Sequence, residues 1–101
     1  MHVRSITSSD IIFESISLIE NYGWTQGDFE SDDGYCIMGA VLRARAIFQE
    51  IFPEAPQTVD EAAAKALQKI RAVTDSLVKF NDTPGRKKEE VLNALRDSVR
   101  V

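Results

Sequence analysis

In the second half of this chain apolar residues return at alternating steps of four and three, at Val59, Ala63, Ala66, Ile70, Val73, Leu77 and Phe80. That spacing keeps one narrow seam of a helix turned toward a neighbour, and no strand can reproduce it. Thr58 and Glu61 stand at capping-box spacing behind Pro56, so the helix is expected to open at Thr58 and to run through Phe80. Alanines at 62, 63, 64 and 66 let another helix come close. A helix with one apolar seam must bury it against something. The rest of the chain is read for what that is.

Three more segments carry helical periodicity. Ile12, Ile16 and Ile19, with Ile11 and Leu18 beside them, mark a helix over about 9–22. Thr7 and Asp10 have the spacing of a start signal, and Gly23 that of a stop. Ile37, Ala40, Val41, Ala44, Phe48, Ile51 and Phe52 form the stripe of a second helix over about 36–52, ended by Pro53. Val91, Leu92, Leu95 and Val99 mark the last, expected to begin near Pro84 behind Asn81, Asp82 and Thr83 as caps. The expected core is Ile12, Ile16, Ile19, Trp24, Ile37, Val41, Ala44, Phe48, Ile51, Ala63, Ala66, Ile70, Val73, Leu77, Val91, Leu92 and Leu95. Between Trp24 and Tyr35 the helical period is lost, and Asp33-Gly34 is a hairpin-type dipeptide. The expected fold is therefore all-α, one compact four-helix domain over 1–101, with room for a very short β-hairpin between the first two helices. A connection this long in so small a domain is functional or locally packed.

The three stretches Gly23-Trp24-Thr25-Gln26-Gly27, Asp33-Gly34-Tyr35-Cys36-Ile37-Met38-Gly39-Ala40 and Phe80-Asn81-Asp82-Thr83-Pro84-Gly85-Arg86 occur in a fixed order. Together they resemble a family of small bacterial and bacteriophage proteins known as a domain of unknown function, over roughly residues 10–98. Members often have cysteine where this chain has Thr25, and tryptophan where it has Phe80. The resemblance implies the fold and a cytoplasmic setting. It implies no activity.

A single cysteine rules out an intramolecular disulfide and suits a reducing compartment. No apolar run approaches the roughly 18 residues of a membrane span, and the first residues lack the apolar stretch of a signal peptide. The expected setting is the cytoplasm. A net charge of −4 argues against nucleic acid as a partner. Charge is unevenly spread: residues 1–60 hold ten acids against three arginines, and residues 61–101 nine bases against six acids. Attraction between the two halves within the fold is one consequence, and a two-faced surface is the other.

Candidate chemistry collects in the three motifs. Cys36, at a helix start, has the position that lowers a thiol pKa. Gln26 in its Gly-flanked loop loosely resembles the oxyanion glutamine of papain-like enzymes, but the one histidine is His2, near the chain start. Trp24, Gln26, Cys36, Asn81, Asp82 and Arg86 are the candidate ligand-binding set, against a plainer reading as caps and packing. Asp28, Glu30, Asp32 and Asp33 fail the EF-hand template, with Asp33 at position six and Gly39 at position twelve. They are candidates for docking a basic partner, not a metal. Gly85, Arg86, Lys87 and Lys88 at the start of the last helix are a candidate anion site. No cofactor is expected, and no catalytic constellation is complete. Three functions stay open. One is a protein-interaction module, of the kind a phage or mobile element uses to modulate a host complex. Another is an enzyme or ligand-binding protein with a site at Gln26, Cys36, Asn81 and Asp82. The third is a homodimer built on the alanine-rich third helix.

Overall fold

A computed structural model of the protein describes residues 5–101; Met1 to Arg4, and with them His2, lie outside the described residues. The first helix, α1 (Ser8–Tyr22), starts where the sequence signals it. The Thr7 hydroxyl accepts from the Asp10 amide at 3.2 Å, and the Asp10 carboxylate accepts from the Thr7 amide at 2.9 Å. Gly23 stops it with φ of 102°, its amide bonded to the Ile19 carbonyl. A two-stranded hairpin follows, β1 (Glu30–Ser31) and β2 (Gly34–Tyr35), antiparallel with Glu30 opposite Tyr35. The turn falls on Asp32-Asp33, one residue before the expected Asp33-Gly34. Helix α2 spans Ile37–Ile51, α3 Pro56–Thr74, α4 Leu77–Asp82 and α5 Lys88–Ser98.

Three boundaries differ from the sequence expectation, each for a local reason. The seam of α3 does not continue to Phe80. Asp75 takes φ of 66° and breaks the helix, and the Ser76 hydroxyl then accepts from the Lys79 amide to start α4. Helix α3 also begins earlier than Thr58. Pro56, with its preset φ and no amide to satisfy, fills the first turn, and the cap residue Ala55 makes no side-chain bond. The last helix begins at Lys88 rather than near Pro84, and the Glu90 carboxylate accepts from the Lys87 amide at 2.8 Å. Asn81, Asp82 and Thr83 therefore do not cap it.

The helices α1 and α3 pack on each other, and α2 and α5 each pack against both. Their apolar stripes meet in one core of fully buried Ile11, Ile12, Ile19, Ile37, Val41, Val59, Ile70, Val91 and Leu95. Of the alanines at 62, 63, 64 and 66, those at 62, 63 and 66 are buried in this core and Ala64 is exposed. The radius of gyration, 13.2 Å, is that of a compact chain of this length. Ile51, expected in the core, is 57% exposed. Along its stripe burial fades from Val41 and Ala44 (both 0%) through half-buried Phe48 toward the end of α2. Trp24 and Val73 are half-buried.

Close backbone approach sets the hairpin against the helices. Gly23 and Gly34 lie back to back, Gly34 with φ of 135°, and a Cβ on either would strike the other segment's backbone. Across this contact the Tyr35 amide donates to the Gly23 carbonyl and the Thr25 amide to the Tyr35 carbonyl, both at 3.1 Å. On α2, a Cβ at Gly39 would collide with the Phe29 carbonyl, which already accepts from the Cys36 amide. Gly34→Ala and Gly39→Ala should each cost about 3 kcal/mol or more by chemical denaturation, since backbone must move at both. Gly27→Ala, with φ of 84° but open space around it, should cost only about 1–2 kcal/mol.

Candidate functional site

The shortest helix organises the motif residues. At six residues α4 is too short to persist on its own hydrogen bonds. Buried Leu77 anchors it in the core, and its C-terminal carbonyls are taken one by one. The Thr83 hydroxyl donates to the Lys79 carbonyl at 2.6 Å, and Arg86 Nε to the Phe80 carbonyl at 2.9 Å. Gln26 Nε2, arriving from the loop after α1, donates to the carbonyls of Asn81 and Thr83, both at 3.0 Å. Arg86 also lies over the Phe80 ring, 3.8 Å from its centroid, and reaches Glu90 at 3.5 Å.

Asn81 points the other way, into the protein, where it is 1% exposed. Its Oδ1 accepts from the Trp24 indole at 2.7 Å and from the Ile37 amide at 3.0 Å. Its Nδ2 donates to the Thr25 carbonyl at 3.0 Å and to Asp82 Oδ1 at 2.9 Å. Two donors and two accepting positions are all that a primary amide has, so the side chain is saturated. Asp82 Oδ1 further accepts from the Gly27 amide at 3.0 Å. Ile37 is the first residue of α2, so Asn81 caps that helix across 44 residues of sequence. The capping role expected of Asn81 is thus exercised on a different helix. The Trp24 indole is satisfied by a side-chain carbonyl, that of Asn81.

Cys36 is the N-cap of α2, 7% exposed, with its sulfur accepting from the Gly39 amide at 3.3 Å. Burial pushes the thiol pKa up, and this outweighs the lowering by the Gly39 and Met38 amides; the charge of Asp82 adds to the rise. The helix start thus fails to activate this thiol. Tyr35 behaves alike, its phenol raised by burial and by Glu30.

Trp24, Gln26, Cys36, Asn81, Asp82 and Arg86 therefore gather around the start of α2 and the end of α4, with their polar groups bonded to one another and to helix ends. Thr83 and Gly27 belong to the same network; the Thr-Pro pair after a short apolar run is the signal in the sequence for the first. The basic turn is likewise engaged. Gly85 lies in the turn before α5, Arg86 folds back onto α4, and the Glu90 carboxylate occupies the anion position at the α5 N-terminus beside Lys87 and Lys88. Asp28, Glu30, Asp32 and Asp33 are all exposed, as is Phe29 at 59%. Among the described residues no group of three or more His, Cys, Asp or Glu is placed to hold a metal ion. Nor is any described helix long and apolar enough to cross a membrane.

A family model matches residues 3–100, nearly the whole chain. The protein belongs to DUF6197, a family of unknown function. No curated protein and no solved structure matches the chain. For this DUF6197 member the motif geometry yields two expectations. Asn81→Ala leaves the Trp24 indole, the Ile37 amide and the Thr25 carbonyl without their partner, at about 1–3 kcal/mol each. It should lower unfolding free energy by about 3 kcal/mol or more and shift Trp24 emission to the red. The second expectation concerns alkali. With both pKa values raised in the folded state, the unfolded chain loses its protons first as pH passes the ordinary 9.0 of cysteine and 10.0 of tyrosine. Stability should hold up to about pH 8 and fall above pH 9, with Cys36→Ser removing the first part of the fall in denaturant titrations.

Proposed function

We propose that this DUF6197 member is a non-enzymatic, cytoplasmic protein-interaction module whose hairpin loop docks a basic partner. One observation carries the reading: the loop is fixed from within while its side chains are left outside. Gln26, Asn81 and Asp82 hold the loop at Thr25, Gln26 and Gly27, and the Gly23–Gly34 contact closes it at the other end. What it holds out is Phe29 among Asp28, Glu30, Asp32 and Asp33. A pre-ordered loop gives up little conformational entropy on binding. An exposed aromatic ringed by charge has the make-up of an anchor within a polar rim. Four carboxylates favour lysine- and arginine-rich surfaces, speed encounter with them and repel nucleic-acid phosphates. A phage or mobile-element accessory protein acting on a host complex would need a surface of this kind.

The alternative, an enzyme or ligand site at Gln26, Cys36, Asn81 and Asp82, has less support. Asn81 is saturated, Gln26 donates to two carbonyls, and the thiol is buried with a raised pKa.

The test is quantitative capture from cell lysate by the immobilised protein, beside a variant carrying Phe29→Ala, Asp32→Lys and Asp33→Lys. All three positions are exposed, so the fold should be kept. A partner retained by the wild type should be reduced about tenfold or more by the variant and released by about 0.5 M salt. Equal capture by both proteins, or salt-insensitive capture, would remove the hairpin from the proposal.

A further inference from the structure

Beside the core-facing seam of α3 runs a second stripe, Asp60, Ala64, Leu67 and Arg71, at the same four-three-four spacing. Asp60, Ala64 and Arg71 are exposed and Leu67 is half-buried. Asp60, Ala64 and Leu67 of this stripe form one wall of an open groove of about 280 Å³ between α2 and α3, with Val41 and Ala63 as its buried floor and Arg45 and Leu42, the latter 38% exposed, on the α2 side; Arg71 lies beyond its end. The stripe is acidic at one end, basic at the other, and small and apolar between. Asp60 Oδ1 is held by Arg45 at 2.8 Å and Gln49 at 2.9 Å, while its Oδ2 has no partner among the described residues. Arg71 makes no ion pair with any described residue.

From this arrangement the geometry points to a second copy of the chain as the occupant of the groove, with the two α3 helices antiparallel. About a two-fold axis passing between residues 65 and 66, Asp60 of one copy faces Arg71 of the other. Ala64 likewise faces Leu67, a small residue against a large one. Each relation occurs twice, as an isologous interface requires. Charge favours this face over the hairpin for self-association. The chain carries −4 and its hairpin is acidic, so two copies repel there, whereas this stripe carries one acid and one base. Leu42 adds apolar surface beside Ala64 and Leu67 in the same groove. The inference is independent of the hairpin reading.

Sedimentation velocity from about 1 µM to about 1 mM, the range in which weak association becomes populated, tests it. The wild-type mass should rise from 11.3 kDa toward twice that value. Ala64→Arg, at an exposed position, should keep the far-UV circular dichroism and weaken association about tenfold or more. The decisive arm is a charge exchange. Asp60→Arg and Arg71→Asp each set like charges against each other in a homodimer and should each be monomeric. Mixed in equal amounts they pair opposite charges at both ends, so a heterodimer should form. A wild type that stays monomeric throughout overturns the inference. So does a dimer indifferent to Ala64→Arg, or a mixture of the two charge variants that fails to associate.

Discussion

A single primary amide, buried to within 1% of its surface, is the point on which the irregular part of this protein depends. Asn81 joins the loop after α1, the start of α2 and the end of α4 through four hydrogen bonds between 2.7 and 3.0 Å. None of its bonding capacity is left over, and none of its partners has a ready substitute. The indole of Trp24 and the amide of Ile37 share one oxygen, so their positions are fixed relative to each other. A buried polar network of this kind specifies one arrangement because any partial version leaves groups unpaired in a low-dielectric setting.

Around that centre two helix ends exchange caps. Helix α2 receives its first-turn partner from α4 through Asn81, and α4 receives a C-terminal partner from the loop before α2 through Gln26. Thr83 and Arg86 complete the end of α4 from the chain that follows it. The three motifs that mark the sequence are thus parts of one joint. Their polar residues are spent on holding backbone, and the closely opposed glycines exist because backbone passes against backbone.

The regular helices were legible in the sequence because their apolar residues recur at the helical period and because short-range caps leave local marks. Thr7 with Asp10 placed the start of α1 correctly, and Gly23 its end. The seam of α3 misled at its far end, since Leu77 and Phe80 keep the period across a break made by Asp75 and Ser76. Periodicity reports which residues face the core and is blind to a kink that preserves the facing. Asn81 was legible as a capping residue, but the helix it caps lies 44 residues earlier, and no local pattern encodes that. Cys36 was placed at its helix end. Whether a thiol there is activated depends on burial by neighbours distant in sequence, and here burial prevails.

The separation in sequence between the two sides of the joint also orders events in time. Gln26 and Thr25 find their partners 55 to 57 residues later, at Asn81 and Thr83. Closing a loop of that length is slow compared with forming a helix, and bonds of this range are made after the local ones. During synthesis α1 and α2 can emerge and pair while the Thr25–Gly27 end of the hairpin loop still lacks Asn81 and Asp82 to hold it. That end of the loop is therefore fixed only once residue 83 has left the ribosome. Any partner that reads the shape of this loop meets its final form only after α4 has docked.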